Sequence, residues 1–234
     1  MKKRIFYISA GLIIISTVFF MYMAYHSLYK QVSGKVNNCT YTIILDAGHG
    51  GEDGGAVGAD GTMEKDINLS ITKKLQQLFL TSGFNVKMIR DSDVSVYSDG
   101  MNSIKEKKVS DLKNRLNIAN ENENNILISI HQNKFPQSKY NGTQVFYSEN
   151  NPKSKELANN IKESVIGFLQ SDNKREIKPA TKDIYILYNC KNVAVMVECG
   201  FLSNDLELQK LKDEKYQNKI AFSIYCGFLE YLKN

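Results

Sequence analysis

The stretch Tyr41-Thr-Ile-Ile-Leu-Asp-Ala-Gly-His-Gly-Gly51 decides the fold. Tyr41–Leu45 is a short apolar, β-rich run that stops at Asp46, and glycines at 48, 50, 51, 54 and 55 follow. Such a run reads as a strand. The glycines let the backbone after it turn sharply and come close to a bound ligand. Asp66–Thr81 then places Ile67, Ile71, Leu75, Leu78 and Phe79 at helical spacing on one face. Ser82-Gly83 ends that helix, and Phe84–Ile89 returns as a strand. Strand, loop, helix and strand in this order form the repeating unit of a parallel α/β sheet.

The alternation continues to the C-terminus. Lys107–Glu121 is a helix with Val109, Leu112, Leu116 and Ala119 on one side, and Ile126–Ile130 is an apolar strand. Asn141-Gly142 is a turn signal ahead of a strand at Thr143–Tyr147. A helix opens at Pro152 and packs through Leu157, Ile161, Val165 and Phe168; Ile184–Leu187 and Val193–Val197 read as strands. Tyr216–Leu232 is the last helix, with Ile220, Ile224, Phe228 and Tyr231 facing inward. The expected fold is an α/β three-layer sandwich, with a mostly parallel mixed sheet of about six strands flanked by helices.

One N-terminal transmembrane helix is expected ahead of this domain. Lys2-Lys3-Arg4 precede an uncharged stretch, Ile5 to Tyr25, of 21 residues. A bilayer takes about 20 apolar residues, whereas a cleaved signal has an apolar core of about 7–15 and small residues before its cut. Val32-Ser33-Gly34 is only a weak cleavage site, and Tyr22, Tyr25 and Tyr29 suit a membrane interface. Residues 1–29 thus read as an uncleaved anchor, 30–40 as a linker and 41–234 as one catalytic domain outside the membrane. Five of the basic residues (Lys2, Lys3, Arg4, Lys30 and Lys35) lie in residues 1–36, which contain no acid. The remainder has 25 basic against 25 acidic residues, and a neutral domain carries no electrostatic footprint for nucleic acid. The four cysteines show no CxxC spacing and read as small buried hydrophobes.

Three strands run into chemistry-bearing residues: Tyr41–Leu45 into Asp46 and His49, Ile126–Ile130 into His131-Gln-Asn133, and Val193–Val197 into Glu198. Ligand sites of open α/β sheets lie beyond the carboxyl ends of the strands. His49 and His131 are the only two histidines of the domain, and both fall there. A catalytic zinc takes three protein ligands and keeps one position open, and two histidines with a carboxylate are a common set. Glu64 fits as the third ligand at the start of the helix after the glycine loop, with Asp46, Glu52, Asp53 and Asp66 as rivals that spacing leaves open. The loop has neither G-x-G-x-x-G nor a following Gly-Lys-Ser/Thr, which argues against a nucleotide.

With these motifs in place, the chain resembles the amidase-3 family of zinc-dependent N-acetylmuramoyl-L-alanine amidases. The segments that carry the likeness include Leu45-Asp-Ala-Gly-His-Gly-Gly51, Glu64-Lys-Asp-Ile-Asn-Leu69, Ser129-Ile-His-Gln-Asn133, Gly142-Thr-Gln-Val-Phe-Tyr147 and Val197-Glu-Cys-Gly-Phe-Leu-Ser-Asn204, with Arg115 between them. The resemblance implies that His49, Glu64 and His131 bind zinc and that Glu198 is the catalytic general acid/base. It implies hydrolysis of the amide between N-acetylmuramic acid and L-alanine in peptidoglycan. Asn133 and Asn68 are expected to contact substrate. Family members often carry Pro at Ala47 and Ala at Gln132.

The segments Gly54–Thr62, Asn173-Lys-Arg-Glu176 and Ile184–Leu187, together with the anchor-plus-one-domain plan, resemble the spore-cortex members of the family. That narrower likeness implies a role in muramic-δ-lactam formation and germination, and an accessory spore lipoprotein as partner. The competing readings are a catalytically silent peptidoglycan-binding relative and a zinc peptidase of the stem peptide.

Overall fold

The computed structural model of the chain describes residues 16–23 and 41–233. The chain divides between Cys39 and Thr40. Residues 16–23 are helical and exposed. The rest of the expected anchor and all of the linker, 30–40, lie outside the described residues, and among the described residues no helix is long and apolar enough to cross a membrane.

The elements of the domain are β1 (Thr42–Ala47), α1 (Glu64–Thr81), β2 (Asn85–Met88), α2 (Ile104–Asn120), β3 (Asn125–Asn133), β4 (Gln144–Tyr147), α3 (Lys153–Phe168), β5 (Lys178–Pro179), α4 (Tyr185–Asn189), β6 (Val193–Phe201), α5 (Asp205–Lys212) and α6 (Glu214–Tyr231). They build one six-stranded sheet in the order β2-β1-β3-β6-β4-β5. All neighbours are parallel except β4 with β6. The expected mixed sheet is therefore present, and helices cover both of its faces.

The three central strands are apolar through most of their length because both faces are buried. On one face, Ile44, Leu127, Ala194 and Met196 form a core with Ala119 of α2 and with Ile186 and Leu187 of α4. On the other lie α1, α3 and α6. There Phe79, Phe84 and Phe228 meet edge to face with ring centres 5.0 to 5.6 Å apart. Gly227 lets α6 cross close over α3: a Cβ there would sit 2.5 Å from the Cα of Ile161.

Two expectations need correction. Ile184–Leu187 is not a strand; Tyr185–Asn189 forms the short helix α4, with Ile186 and Leu187 buried. A short apolar run satisfies a buried strand and a buried helical turn equally well. The sixth strand is instead Lys178–Pro179, a two-residue edge strand. The second correction concerns strand ends. β3 continues to Asn133 and β6 to Phe201, so His131 and Glu198 sit inside paired strands and not past their ends. The helix Asp205–Lys212 is an additional element; the Asn204 side chain caps it by accepting from the amides of Leu206 and Glu207.

Candidate active site

β1 delivers its C-terminal residues into the glycine loop, and two buried arginines hold that loop by its carbonyls. Arg90 donates from Nε to Ala47 O at 2.8 Å and from Nη2 to Gly48 O at 3.0 Å. Arg115 donates from Nη1 to Ala47 O at 2.9 Å and from Nη2 to His49 O at 2.7 Å. This clamp matters because His49 has φ 62°, the one positive value on a described non-glycine residue. A side chain in that region costs about 1–3 kcal/mol and persists only where its surroundings fix it.

The backbone twist aims the His49 ring at the start of α1. Its Nδ1 lies 2.9 Å from Asp53 Oδ2 and its Nε2 lies 3.2 Å from Glu64 Oε2. From β3, His131 brings Nδ1 within 2.9 Å of the other oxygen, Glu64 Oε1. The three side chains thus gather one donor atom each, all within 4.8 Å of one another. Two imidazoles and a carboxylate are the donor chemistry of a divalent transition metal such as zinc. Asp53 orients His49 through the ring nitrogen that faces away from Glu64, as outer carboxylates commonly do for metal-binding histidines.

Glu64 is buried as the first residue of α1, where the helix dipole favours an anion. Its Oε2 accepts from the amide of Ala56 at 2.8 Å and its Oε1 from the amide of Gln132 at 3.1 Å. Burial would raise its pKa, but the bonds and charges of His131 and His49 outweigh this and hold the carboxyl well below the usual range. For His49, burial pulls the pKa down, and the bonds to Asp53 and Glu64 reverse the shift and raise it to about 9.

Close packing enforces the geometry. A Cβ on Gly48 would stand 2.2 Å from the His131 ring, and one on Gly55, at φ 68°, would stand 2.6 Å from Glu64 Oε2. Gly48→Ala should therefore push the His131 ring aside and lower metal affinity by at least tenfold while leaving the fold intact. Metal content after dialysis against a competing chelator checks this; wild-type retention would show that the ring does not depend on Gly48.

Glu198 is the cross-strand partner of His131 in β6. Glu198 is half-buried, and its Oε2 is a buried atom with no hydrogen-bond partner among the described residues. Burial, aided by the charge of Glu64, pushes its pKa up to about 7 against the pull of His131 and His49. A carboxyl in this state can accept a proton and return it near neutral pH.

The rival carboxylates have other work. Asp46 is buried in an ion pair with Arg115 and accepts from Ser129 Oγ at 2.7 Å. Glu52 is exposed and paired with Lys107, Asp53 orients His49, and Asp66 is exposed on α1. The expected substrate contact at Asn68 has no surface to make it, because the residue is fully buried. Asn68 Nδ2 reaches Gly48 O and Glu64 Oε1, both at 3.2 Å, and Oδ1 accepts from Gln132 Nε2. Asn68 lies one helical turn after Glu64, so the i, i+4 spacing beside Ile67 and Ile71 already placed it on the inward face. Asn133 is half-buried and lines an open recess.

That recess is one of two beside the site. The first, about 210 Å³, lies between β1 and α2 and is lined by His49, Tyr97, Ile104, Leu112, Ile186 and neighbouring charged residues. The second, about 330 Å³, lies across β4 and includes Asn133, Tyr140, Gln144, Phe146, Arg175 and Lys178. Gln144 pairs with Glu198, Phe146 with Met196, and Lys178 with Phe146. Paired residues share a face of a sheet, so this recess opens on the face that carries His131 and Glu198.

The pattern of the amidase-3 family, N-acetylmuramoyl-L-alanine amidase, matches residues 43–230. The chain belongs to this family. It is an enzyme that acts on the muramoyl–alanine amide of peptidoglycan. The germination-specific N-acetylmuramoyl-L-alanine amidase of Bacillus subtilis is 33% identical to it over 99% of this chain and 96% of that one. Among solved structures, the CwlD amidase of Clostridioides difficile, determined in complex with the GerS lipoprotein, superposes with TM-score 0.79. It is 46% identical, over 83% of this chain and 99% of that one. An N-acetylmuramoyl-L-alanine amidase of Clostridium difficile 630 superposes with TM-score 0.72 at 30% identity, over 83% of this chain and 97% of that one.

Proposed function

We propose that His49, Glu64 and His131 hold a zinc ion and that Glu198 is the general acid/base of the amidase reaction. The observation that carries this is the pairing of a two-histidine, one-carboxylate cluster with Glu198 on the adjoining strand, whose buried Oε2 has no partner among the described residues. When bound, zinc supplies a Lewis acid that polarises the scissile carbonyl and makes water more acidic. Glu198 takes the proton of the attacking water at its free oxygen and delivers it to the departing amine of L-alanine. Asp53 keeps the His49 ring in the orientation that presents Nε2, and the amides of Ala56 and Gln132 with Asn68 keep Glu64 from rotating. Digestion of purified peptidoglycan followed by mass spectrometry tests the reaction. Intact muramoyl–alanine bonds after digestion with zinc present would sink it, and cuts between two amino acids would point to a peptidase.

Metal binding should compete with protons at this site. In the metal-free protein His49 titrates near 9, so it carries a proton at pH 7 that must leave when the ring coordinates. Because the folded pKa lies above the ordinary 6.5, this proton stabilises the metal-free fold fully below 6.5 and less as pH rises through about 9. Zinc affinity should therefore rise from pH 6.5 to 9 as the stability of the metal-free fold declines. Calorimetry in buffers of different ionisation enthalpy should count about one proton released at pH 7. No release would contradict the raised His49.

The likeness to the germination-specific amidase and to CwlD supports a role in the spore cortex, where stripping the stem peptide prepares muramic-δ-lactam. The CwlD–GerS complex supports an accessory lipoprotein for this chain too. Residues 1–29 anchor the chain in a membrane, residues 30–40 link them to the catalytic domain at 41–234, and that domain works outside the cytoplasm. Spores lacking the gene should contain no δ-lactam; a normal muropeptide profile would exclude the cortex role. Alkaline extraction of membranes should leave the full chain in the pellet.

A further inference from the structure

The two recesses beside the metal site differ in the state of their cations. On the β1–α2 side, Lys107 is paired with Glu52 at 2.8 Å and Lys108 approaches Asp53 at 3.6 Å. Their charges are already answered, and Tyr97, Ile104, Leu112 and Ile186 give that recess an apolar wall. On the β4 side, Arg175 and Lys178 have no acidic partner among the described residues. Arg175 is nevertheless held in place: its Nε donates to Asn141 O at 2.7 Å, and its guanidinium lies 4.5 Å from the centre of Phe201 and 5.9 Å from that of Tyr140. Those bonds leave both terminal nitrogens free to donate. The charge of Glu207 acts on it from nearby, but among the described residues neither Glu207 nor Glu176 forms an ion pair with it. Glu207 spends its oxygens on the amides of Gly142 and Phe201, which fixes the turn that Arg175 grips, and Glu176 points its carboxylate at Lys162.

A stem peptide carries free carboxylates, beginning with that of the D-glutamate next to L-alanine, whereas an N-acetylated sugar joined through its lactyl amide is neutral. We propose that the β4 recess receives the acidic stem peptide, with Arg175 and Lys178 binding its carboxylates, and that the neutral glycan lies toward the β1–α2 recess. The assignment rests on the amidase reading and adds to it a direction for the substrate across the sheet. A guanidinium stacked on aromatic rings and fixed at Nε is a prepared fork for a carboxylate. Lys178, exposed on the edge strand, adds a second charge from the same wall.

The test uses the full-length chain with two soluble muramyl peptides, one with free stem carboxylates and one with those carboxylates amidated. Wild type should show the lower KM on the acidic substrate. Arg175→Ala and Lys178→Ala should each raise that KM about tenfold, the size of one lost charge-assisted bond. Neither should change kcat or the KM for the amidated substrate, and Arg175→Lys should keep most of the preference. Equal rises for both substrates would assign the recess to the glycan and overturn the proposal, as would no rise for either. Should wild type cut neither substrate, the amidase reading fails by itself. Titration of free acidic and amidated stem peptides into wild type and Lys178→Ala then still decides the recess: equal affinities overturn it.

Discussion

Glu198→Gln should lose about a thousandfold in kcat and keep its metal, and its metal-free form should be more stable than metal-free wild type above neutral pH. The activity loss follows from the chemistry: a positioned acid/base contributes about 10²–10⁴-fold, and an amide of the same shape accepts no proton. Metal retention follows from the geometry, because Glu198 is not among the three donors that converge. The stability gain follows from linkage. Burial raises the Glu198 pKa from 4.5 to about 7, so the folded state holds a proton that the unfolded chain has released. Stability therefore falls as pH rises from 4.5 through about 7, and above that the charged carboxylate keeps a buried oxygen without a partner among the described residues. Glutamine removes this penalty, so thermal melting of the metal-free protein at pH 8 should rise, while turnover of the metal-bound form vanishes. Retention of a tenth of wild-type activity, with zinc bound, would remove Glu198 from the mechanism. A variant that loses zinc as well would place it in the ligand set.

What the sequence showed and what it hid divide along physical lines. Ile43, Ile44 and Leu45, and likewise Ile126, Leu127 and Ile128, are fully or almost fully buried, so their runs announce central parallel strands. His49 and His131 stood out because the domain has no other histidine. Distinguishing Glu64 from Asp46 needed either the family pattern or the fold. Both are buried acids near the glycine loop, and only three-dimensional position shows that one faces two imidazoles and the other an arginine. The register of His131 against Glu198 was hidden as well, because where β3 and β6 end is set by their mutual pairing and not by their own composition. Arg175 and Lys178 lay in a stretch without apolar periodicity, and only the edge pairing of β5 with β4 brings Lys178 to the recess.

Asp46→Ala should destabilise the domain by about 3–5 kcal/mol, the usual cost of breaking a buried ion pair by removing one member. For a domain of this size that corresponds to a fall of roughly 10 °C in melting temperature. Asp46 is fully buried, its Oδ1 is 2.5 Å from Arg115 Nη1, and burial alone would raise its pKa; the adjacent guanidinium lowers it instead. That contribution is present above the ordinary 3.8 and is lost only as pH falls through the lower folded value, so the wild-type pair should survive mild acid. Asp111 still meets Arg115 Nε in the variant, which sets the lower end of the expected loss. Replacing both partners, Asp46→Leu with Arg115→Met, should recover part of the stability, since an apolar pair of similar volume carries no desolvation cost. It should not recover the metal site. Arg115 is also the donor that holds the carbonyl of His49, and among the described residues no other hydrogen bond holds that carbonyl to keep the ring-bearing residue at φ 62°. Melting temperature and zinc content measured on the single and double variants separate the two roles. If the double variant binds zinc as tightly as wild type, Arg115 serves packing alone, and the strained His49 backbone is fixed by Arg90 and the glycines around it.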